Sequence, residues 1–389
     1  MIYAGPRLKK VLAALFVAAM FAAAYSRAGD YGPWMLGLSP EPPMEGPLGP
    51  VFYQGFVGSN PGGASCHVSS IADLGDGRLI AAWYAGSREG ARDVAIYTST
   101  FTPGKGWSAP LRTVDRKSAS EELGRYVKKV GNASLSRASD GSIWMIYSTV
   151  FAGGWAGTSL SYKRSVDGGA TWSQSSKLYL SPLFNLTYNV KNKALPLAGG
   201  ALLVPVYQEL ASKTSGVLYL NPYGAYRLAR STFSGKAIQP AIEPAEDGGL
   251  IAFYRNASKK DVKFILTSRS SDNGRTWAEV TDTTIPTPNS GLDAIRLPGE
   301  GRYLIVANDS FDSRDVLSLL ITEDGGQSWR TIASLEDNSG MEYSYPFIIR
   351  ASDGMYHITY TYERRLIRHV YFNDVWVDEV AGLGRQSDD

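Results

Sequence analysis

The sequence predicts an all-β protein folded as a six-bladed β-propeller, and two interleaved repeats carry that prediction. The first is a glycine turn, usually with an acidic residue ahead of it, leading into a run of β-branched and aromatic residues. It occurs as Asp76-Gly77 before LIAAWY, Asp140-Gly141 before IWMIYS, Gly199-Gly200 before LLVPVY, Asp247-Gly248 before LIAFYR, Glu300-Gly301 before YLIVAN, and Asp353-Gly354 before YHITYTY. These glycines recur every 48 to 64 residues, the length of one four-stranded blade. The second repeat is Ser165-Val-Asp167-Gly-Gly169-Ala-Thr171-Trp172, matched at Ser270 to Trp277 and at Thr322 to Trp329, with the tryptophans two periods and one period apart. No helical periodicity separates the turns, and radial closure is how such strands protect their edges; a β-sandwich is the competing arrangement. The runs near 79–84, 143–148, 202–207, 250–255, 303–307 and 356–361 are expected to line the axis.

Taken in order, residues 1–28 read as an export signal. Arg7, Lys9 and Lys10 precede an apolar run from Val11 to Tyr25 that ends in small residues, Ala22-Ala23-Ala24. That run falls short of the roughly 20 residues needed to cross a bilayer as a helix. A cleaved signal is therefore expected, with the mature chain starting between Tyr25 and Asp30, and an uncleaved anchor is the alternative. Residues 29–50, rich in Pro and Gly, read as a linker, and 51–389 as the propeller. The expected location is periplasmic or extracellular.

Composition bounds the chemistry. Lys+Arg number 39 against 37 Asp+Glu, a formal net charge of +2, which excludes a nucleic-acid partner held by bulk charge. Hydrophobic residues at 44% and aromatics at 12% exclude a disordered chain. A single cysteine, Cys66, and three histidines give neither a disulfide nor a metal-ligand spacing, and no phosphate-binding glycine loop is present, so no cofactor is expected. Cys66 and His67 are adjacent on an extended run and point to opposite faces, which disfavours a thiol nucleophile with its base. In the Ser/Thr-x-Asp repeats the Asp ties the backbone of a turn, Gly supplies positive φ, and Trp plugs the gap between strands. A calcium loop would need oxygen ligands at alternate positions, and these are missing.

Three copies of S/T-x-D-x-G-x-T/S-W on a six-fold repeat resemble the Asp-box signature of the sialidase (neuraminidase) superfamily, over roughly residues 60 to 375. The resemblance implies a sialidase-like propeller whose site holds a sugar carboxylate with three arginines. It also implies a Tyr nucleophile activated by a Glu, and an Asp acid/base. Arg255, ending IAFYR, and Arg314, preceding VLSLLI, match two of the arginines. At the third position the chain departs, reading Cys66-His67-Val68-Ser69; His67 would bind an acid when protonated or act as a base when neutral. Tyr343, in Glu342-Tyr343-Ser344-Tyr345-Pro346, matches the nucleophile, with Tyr345 as the neighbouring alternative. Where the activating Glu is expected stands Gln239, a second departure. For acid/base work the loop Tyr84 to Asp93 offers Glu89 or Asp93, the other pairing with Arg88 or Arg92. Glu209 is a further carboxylate at a strand end, and Asn132 and Lys191-Asn192 are candidate substrate contacts.

These residues point to an exported glycoside hydrolase releasing a terminal acidic sugar from a glycan, with Tyr343, Glu89, Asp93, His67 and Glu209 as catalytic candidates. Arg255, Arg314, Arg88, Gln239 and Asn132 are the substrate-binding candidates. A polysaccharide lyase acting on a uronate-containing glycan through His67, Tyr343 and Arg255 is the alternative. A non-catalytic carbohydrate-binding propeller is the third reading, supported by the missing Glu and the missing Arg. The expected partner is a glycan or polysaccharide, with no nucleic acid and no membrane contact beyond the N-terminal anchor.

Overall fold

The computed structural model describes residues 6–27, 37–39, 47–61, 63, 65–151, 153–154, 157–180, 188–209, 213–230 and 234–383. Among them lie six antiparallel sheets of four or five strands, taken up in chain order as blades one to six. Blade one runs Ser65–Gly75, Arg78–Gly86, Ala95–Thr102 and Gly106–Trp107, with Leu111–Asp115 also on its third strand. Blade two begins at Lys129–Arg137, blade four at Ala237–Pro244, blade five at Asp293–Arg296 and blade six at Tyr343–Arg350. Blade three opens with two short pieces, Tyr188–Asn189 and Leu195–Leu197, both paired to Ala201–Gln208.

The first strands surround the axis: Ser65–Gly75 packs against both Lys129–Arg137 and Tyr343–Arg350. This corrects the sequence expectation for the innermost strands. The apolar runs after the glycine turns are the second strands, one step out. The reason is burial on both faces: a second strand such as Arg78–Gly86 is covered by two neighbouring blades and reads as continuously apolar. The axial strands instead carry polar groups such as Ser70, Gln239 and Asp293.

The ring closes through the N-terminal side. Phe52–Phe56 pairs with Leu366–Phe372 as the outer strand of blade six. Gln54, Tyr360 and Arg368 all meet the nearly buried Glu336 carboxylate, at 3.0, 2.7 and 3.1 Å. Upstream, Pro6–Arg27 is a 22-residue helix exposed over Lys10 to Met20. No helix among the described residues is long and apolar enough to cross a membrane. Residues 28–30, the end of the expected cleavage region, lie outside the described residues, as does most of the 29–50 linker.

Four axial strands share one irregularity. Val68, Asn132, Gln239 and Tyr345 have φ of 48°, 42°, 53° and 55°. Each is the first of two residues facing a single partner residue, a β-bulge. Left-handed backbone costs a non-glycine residue on the order of 1 kcal/mol, and such strain concentrates at functional sites. All four bulges stand at the end where first strands begin and second strands finish. The glycine turns and Asp-boxes stand at the other end.

Candidate functional site

The bulged face collects three guanidinium groups. Arg255 leaves the second strand of blade four, where its Nε donates to Asn289 Oδ1 at 2.7 Å and its Nη1 to Tyr345 Oη at 3.3 Å and Gln239 Oε1 at 3.4 Å. Arg314, between the second and third strands of blade five, donates to Glu342 Oε1 at 3.4 Å and to the Asn289 carbonyl at 3.2 Å. Its guanidinium carbon stands 5.8 Å from the Tyr345 ring centre. Arg364, in the matching hairpin of blade six, spans Glu342 Oε2 at 2.6 Å and Glu89 Oε2 at 2.7 Å. Burial pushes the Glu342 carboxyl up, but the hydrogen bond and charge of Arg364 outweigh it and hold the group below its ordinary range.

Arg314 pairs with Glu342, and Arg364 with Glu342 and Glu89, which leaves Arg255 of these three guanidiniums. Among the described residues Arg255 has no carboxylate partner; every group it touches is neutral. A half-buried guanidinium in this state is a built anion site, because its N–H fork matches a carboxylate in two parallel bonds.

Tyr345 sits between these arginines because of its bulge. Without the extra residue Tyr343 and Tyr345 would share one face of the strand; the insertion breaks that alternation. Tyr343 is fully buried in the core between blades five and six, where its hydroxyl accepts from Asn338 Nδ2 at 3.0 Å and burial pushes it up to about 12. The structure therefore puts the neighbouring alternative, Tyr345, in the arginine cluster and Tyr343 outside it. Gly291 makes room for this arrangement: a Cβ there would stand 3.0 Å from the Tyr345 ring and 3.2 Å from Gln239 Oε1.

His67 meets Tyr345 edge to face, with ring centres 4.8 Å apart, and is only 1% exposed. Burial, followed by the nearby Arg364 charge, pulls it down to about 4 against the opposing pull of Glu89 and Glu342. The ring is thus neutral near pH 7, and its Nδ1 has no hydrogen-bond partner among the described residues. Tyr84, also buried against His67, meets the Glu89 carboxylate. Gln239 donates from Nε2 to Tyr207 Oη at 3.2 Å.

The remaining candidates fall elsewhere. Asp93 accepts from Ser87 N and Oγ, both at 2.9 Å, which ties the ends of its own loop and holds its carboxyl low. Arg88 and Arg92 are exposed, as is Glu209 beyond the second strand of blade three. Asn132 is half-buried at its bulge. Lys191 and Asn192 are buried beneath the face, not on it. Sequence reasoning missed Arg364, Asn289, Tyr207 and Gly291, and treated Glu342 only as a flank. Charged residues in a hairpin such as Glu363-Arg364-Arg365 read as a solvated turn; their place beside the face where Arg314 leaves blade five was the available signal.

The family described as "BNR repeat-like domain" matches residues 77–358. No curated protein matches the sequence. Among solved structures, a Hadza microbial sialidase is 18% identical with a TM-score of 0.64, over 78% of this chain and 65% of that one. The intramolecular trans-sialidase from Ruminococcus gnavus, in complex with oseltamivir carboxylate, is 15% identical with a TM-score of 0.67, over 82% and 97%. A protein of unknown function from Dyadobacter fermentans is as similar, at 15% identity, a TM-score of 0.66 and the same coverage. At these identities the likeness is one of fold.

Proposed function

We propose that this chain, which belongs to the BNR repeat-like family of the sialidase superfamily, is an exported exo-glycosidase that releases a terminal acidic sugar from a glycan. The observation that carries the reading is Arg255: a guanidinium with only neutral partners, 3.3 Å from the hydroxyl of Tyr345. In this reading Arg255 takes the sugar carboxylate, with Arg314 alongside. Tyr345 Oη attacks the anomeric carbon as the bond to the glycan oxygen breaks. His67, edge-on to the Tyr345 ring, takes the phenolic proton, a task that Gln239, lacking a carboxylate, cannot perform. Glu89, on the loop after the second strand of blade one and paired with Arg364 in the free protein, takes up a proton from solvent as the sugar carboxylate enters and delivers it to the leaving oxygen; Asp93 is engaged by Ser87. Water then releases the sugar.

The test is turnover on a panel of sialosides, uronate polysaccharides and neutral glycans. A fluorinated sialoside or uronoside should leave a mass adduct on the peptide carrying Tyr345. Activity confined to neutral glycans would sink the reading.

One observation favours a polysaccharide lyase as the second reading. A neutral Gln239 beside Arg255 and a neutral His67 suit the elimination of a uronate, in which His67 takes the proton next to the carboxylate, the glycosidic C–O bond breaks, and Tyr345 Oη gives its proton to the leaving oxygen. Product absorbing as an unsaturated uronate, with no adduct on Tyr345, distinguishes it. Export rests on the basic start and the short apolar run; mass spectrometry of the mature chain should find its first residue between Tyr25 and Asp30, and a full-length cytoplasmic product would refute it.

A further inference from the structure

Beneath the site the axis holds a lysine almost closed to solvent. Lys191, 2% exposed, lies in the gap between the two opening pieces of blade three. Its Nζ donates to Asn192 Oδ1 at 2.6 Å, to the Leu292 carbonyl at 2.7 Å and to the Pro346 carbonyl. Asn192 extends the reach: its Nδ2 donates to the Gln239 carbonyl at 3.1 Å, and its own carbonyl accepts from Ser134 Oγ at 2.9 Å. The contacted carbonyls are not scattered. Pro346 completes the Tyr345 bulge, Gln239 is itself a bulge residue, and Leu292 follows Gly291, the residue that makes room for both. One ammonium and its neighbour thus tie the bulges of blades four and six, and the entry to blade five, to blade three.

We infer that Lys191 is a positioning residue whose three N–H groups hold Tyr345, Gln239 and the Asn289–Leu292 segment in the arrangement the site requires, so that losing one proton from it loosens the site. The inference rests on the proposed activity only for the meaning of "site"; the contacts stand without it. An ammonium has three donors and matches three oxygens, whereas a neutral amine has two donors and a lone pair that faces an oxygen. Burial is the main force pulling Lys191 down, to about 7, with Lys193 and Arg255 adding to it and Asp293 opposing it. Glu243 faces the cluster through Lys193, whose Nζ lies 2.9 Å from it and 3.3 Å from Asp293. The two consequences of pH have opposite signs. With the folded value near 7 and the unfolded value near 10.4, global stability rises with pH across that window, because the buried charge is relieved. Site geometry worsens over the same rise.

The test reads Tyr345 without any ligand. Carbon-13 at tyrosine Cζ, with the Tyr345 signal assigned by Y345F, is followed in the full chain from about pH 5.5 to 8.5; His67, near 4, titrates below that range. The signal should shift with a midpoint within about one unit of 7 in the parent and stay flat in K191M and K191R, neither of which loses a proton there. A flat parent signal overturns the inference with no variant needed, and so does an unchanged shift in K191M or K191R. Inactivity on every sugar acid would sink the proposed function and leave this measurement decisive.

Discussion

Arg255 shows how much a single unpaired charge can decide. Arg314 and Arg364 spend their charge on Glu342 and Glu89, so truncating either disturbs an ion-pair chain, whereas truncating Arg255 removes the anion's own partner. R255A should cost about 2–4 kcal/mol of transition-state stabilisation on an acidic substrate, and R255K should not restore it, since an ammonium lacks the planar fork. Steady-state kinetics on the best substrate checks this; an equal loss on a neutral glycan would contradict it. The two tyrosines make a second pair. Y345F should abolish turnover, while Y343F should keep it, because Tyr343 Oη meets Asn338 and Tyr362 in the core and none of the arginines. Gly291 supplies a third test at this scale. G291A should depress activity by crowding Tyr345 and Gln239 while lowering stability by roughly 1–3 kcal/mol as an overpacking change; full activity would mean that the contact relaxes.

The elements divide the molecule into a reactive face and a supporting one. Bulges in four axial strands re-aim side chains at one end, and the Asp-boxes knit hairpins at the other. In each box the Asp accepts from the backbone and hydroxyl of the residue four places on, as Asp167 does from Thr171 at 2.9 and 2.5 Å. The Thr171 hydroxyl is the main cause that pulls Asp167 down to about 2; at Asp324 burial opposes, and the Ser328 hydroxyl and N–H prevail to the same value. Because the folded values lie below the unfolded value of about 3.9, this stabilisation is complete above about pH 4 and is lost as pH falls through 2. Melting temperature between about pH 5 and 2 should therefore fall less steeply in D167N and D324N than in the parent. Trp277, 9% exposed with its Nε1 donating to the Gly274 carbonyl at 3.1 Å, belongs to the same supporting layer. W277A should cost roughly 3–5 kcal/mol while leaving substrate affinity unchanged. Lost turnover with unchanged melting would move that box to the reactive face.

For the whole molecule the decisive contact joins the two ends of the propeller. Phe52–Phe56 covers the edge of Leu366–Phe372, and Asn373 accepts from Val51 N at 3.0 Å. Removing residues 1–56 should expose that strand edge and leave Glu336 without Gln54, giving an aggregating or non-cooperatively melting product; removing 1–36, which spares the bridge from Leu38 to Leu197, should leave melting intact. Circular dichroism and size-exclusion chromatography separate the two outcomes. Equal melting of both truncations would mean that closure contributes little.

Blade number, the second strands and the Asp-box turns were legible in the sequence because each is a local pattern: a glycine turn beside a doubly buried run, or an Asp within four residues of the groups it binds. Arg255, Arg314, His67 and Gln239 could be singled out from motif position alone. Tertiary structure decided the rest, for two physical reasons. An inserted residue in a strand reverses which side chains share a face, so Tyr345, not Tyr343, joins the arginines, and no periodicity in EYSYP announces a left-handed φ at 345. Charge pairing is a matter of distance in space: Arg364 and Glu89 lie 275 positions apart in the chain and 2.7 Å apart in the fold. Only their meeting leaves Arg255, among the described residues, as the one of the three clustered arginines without a carboxylate.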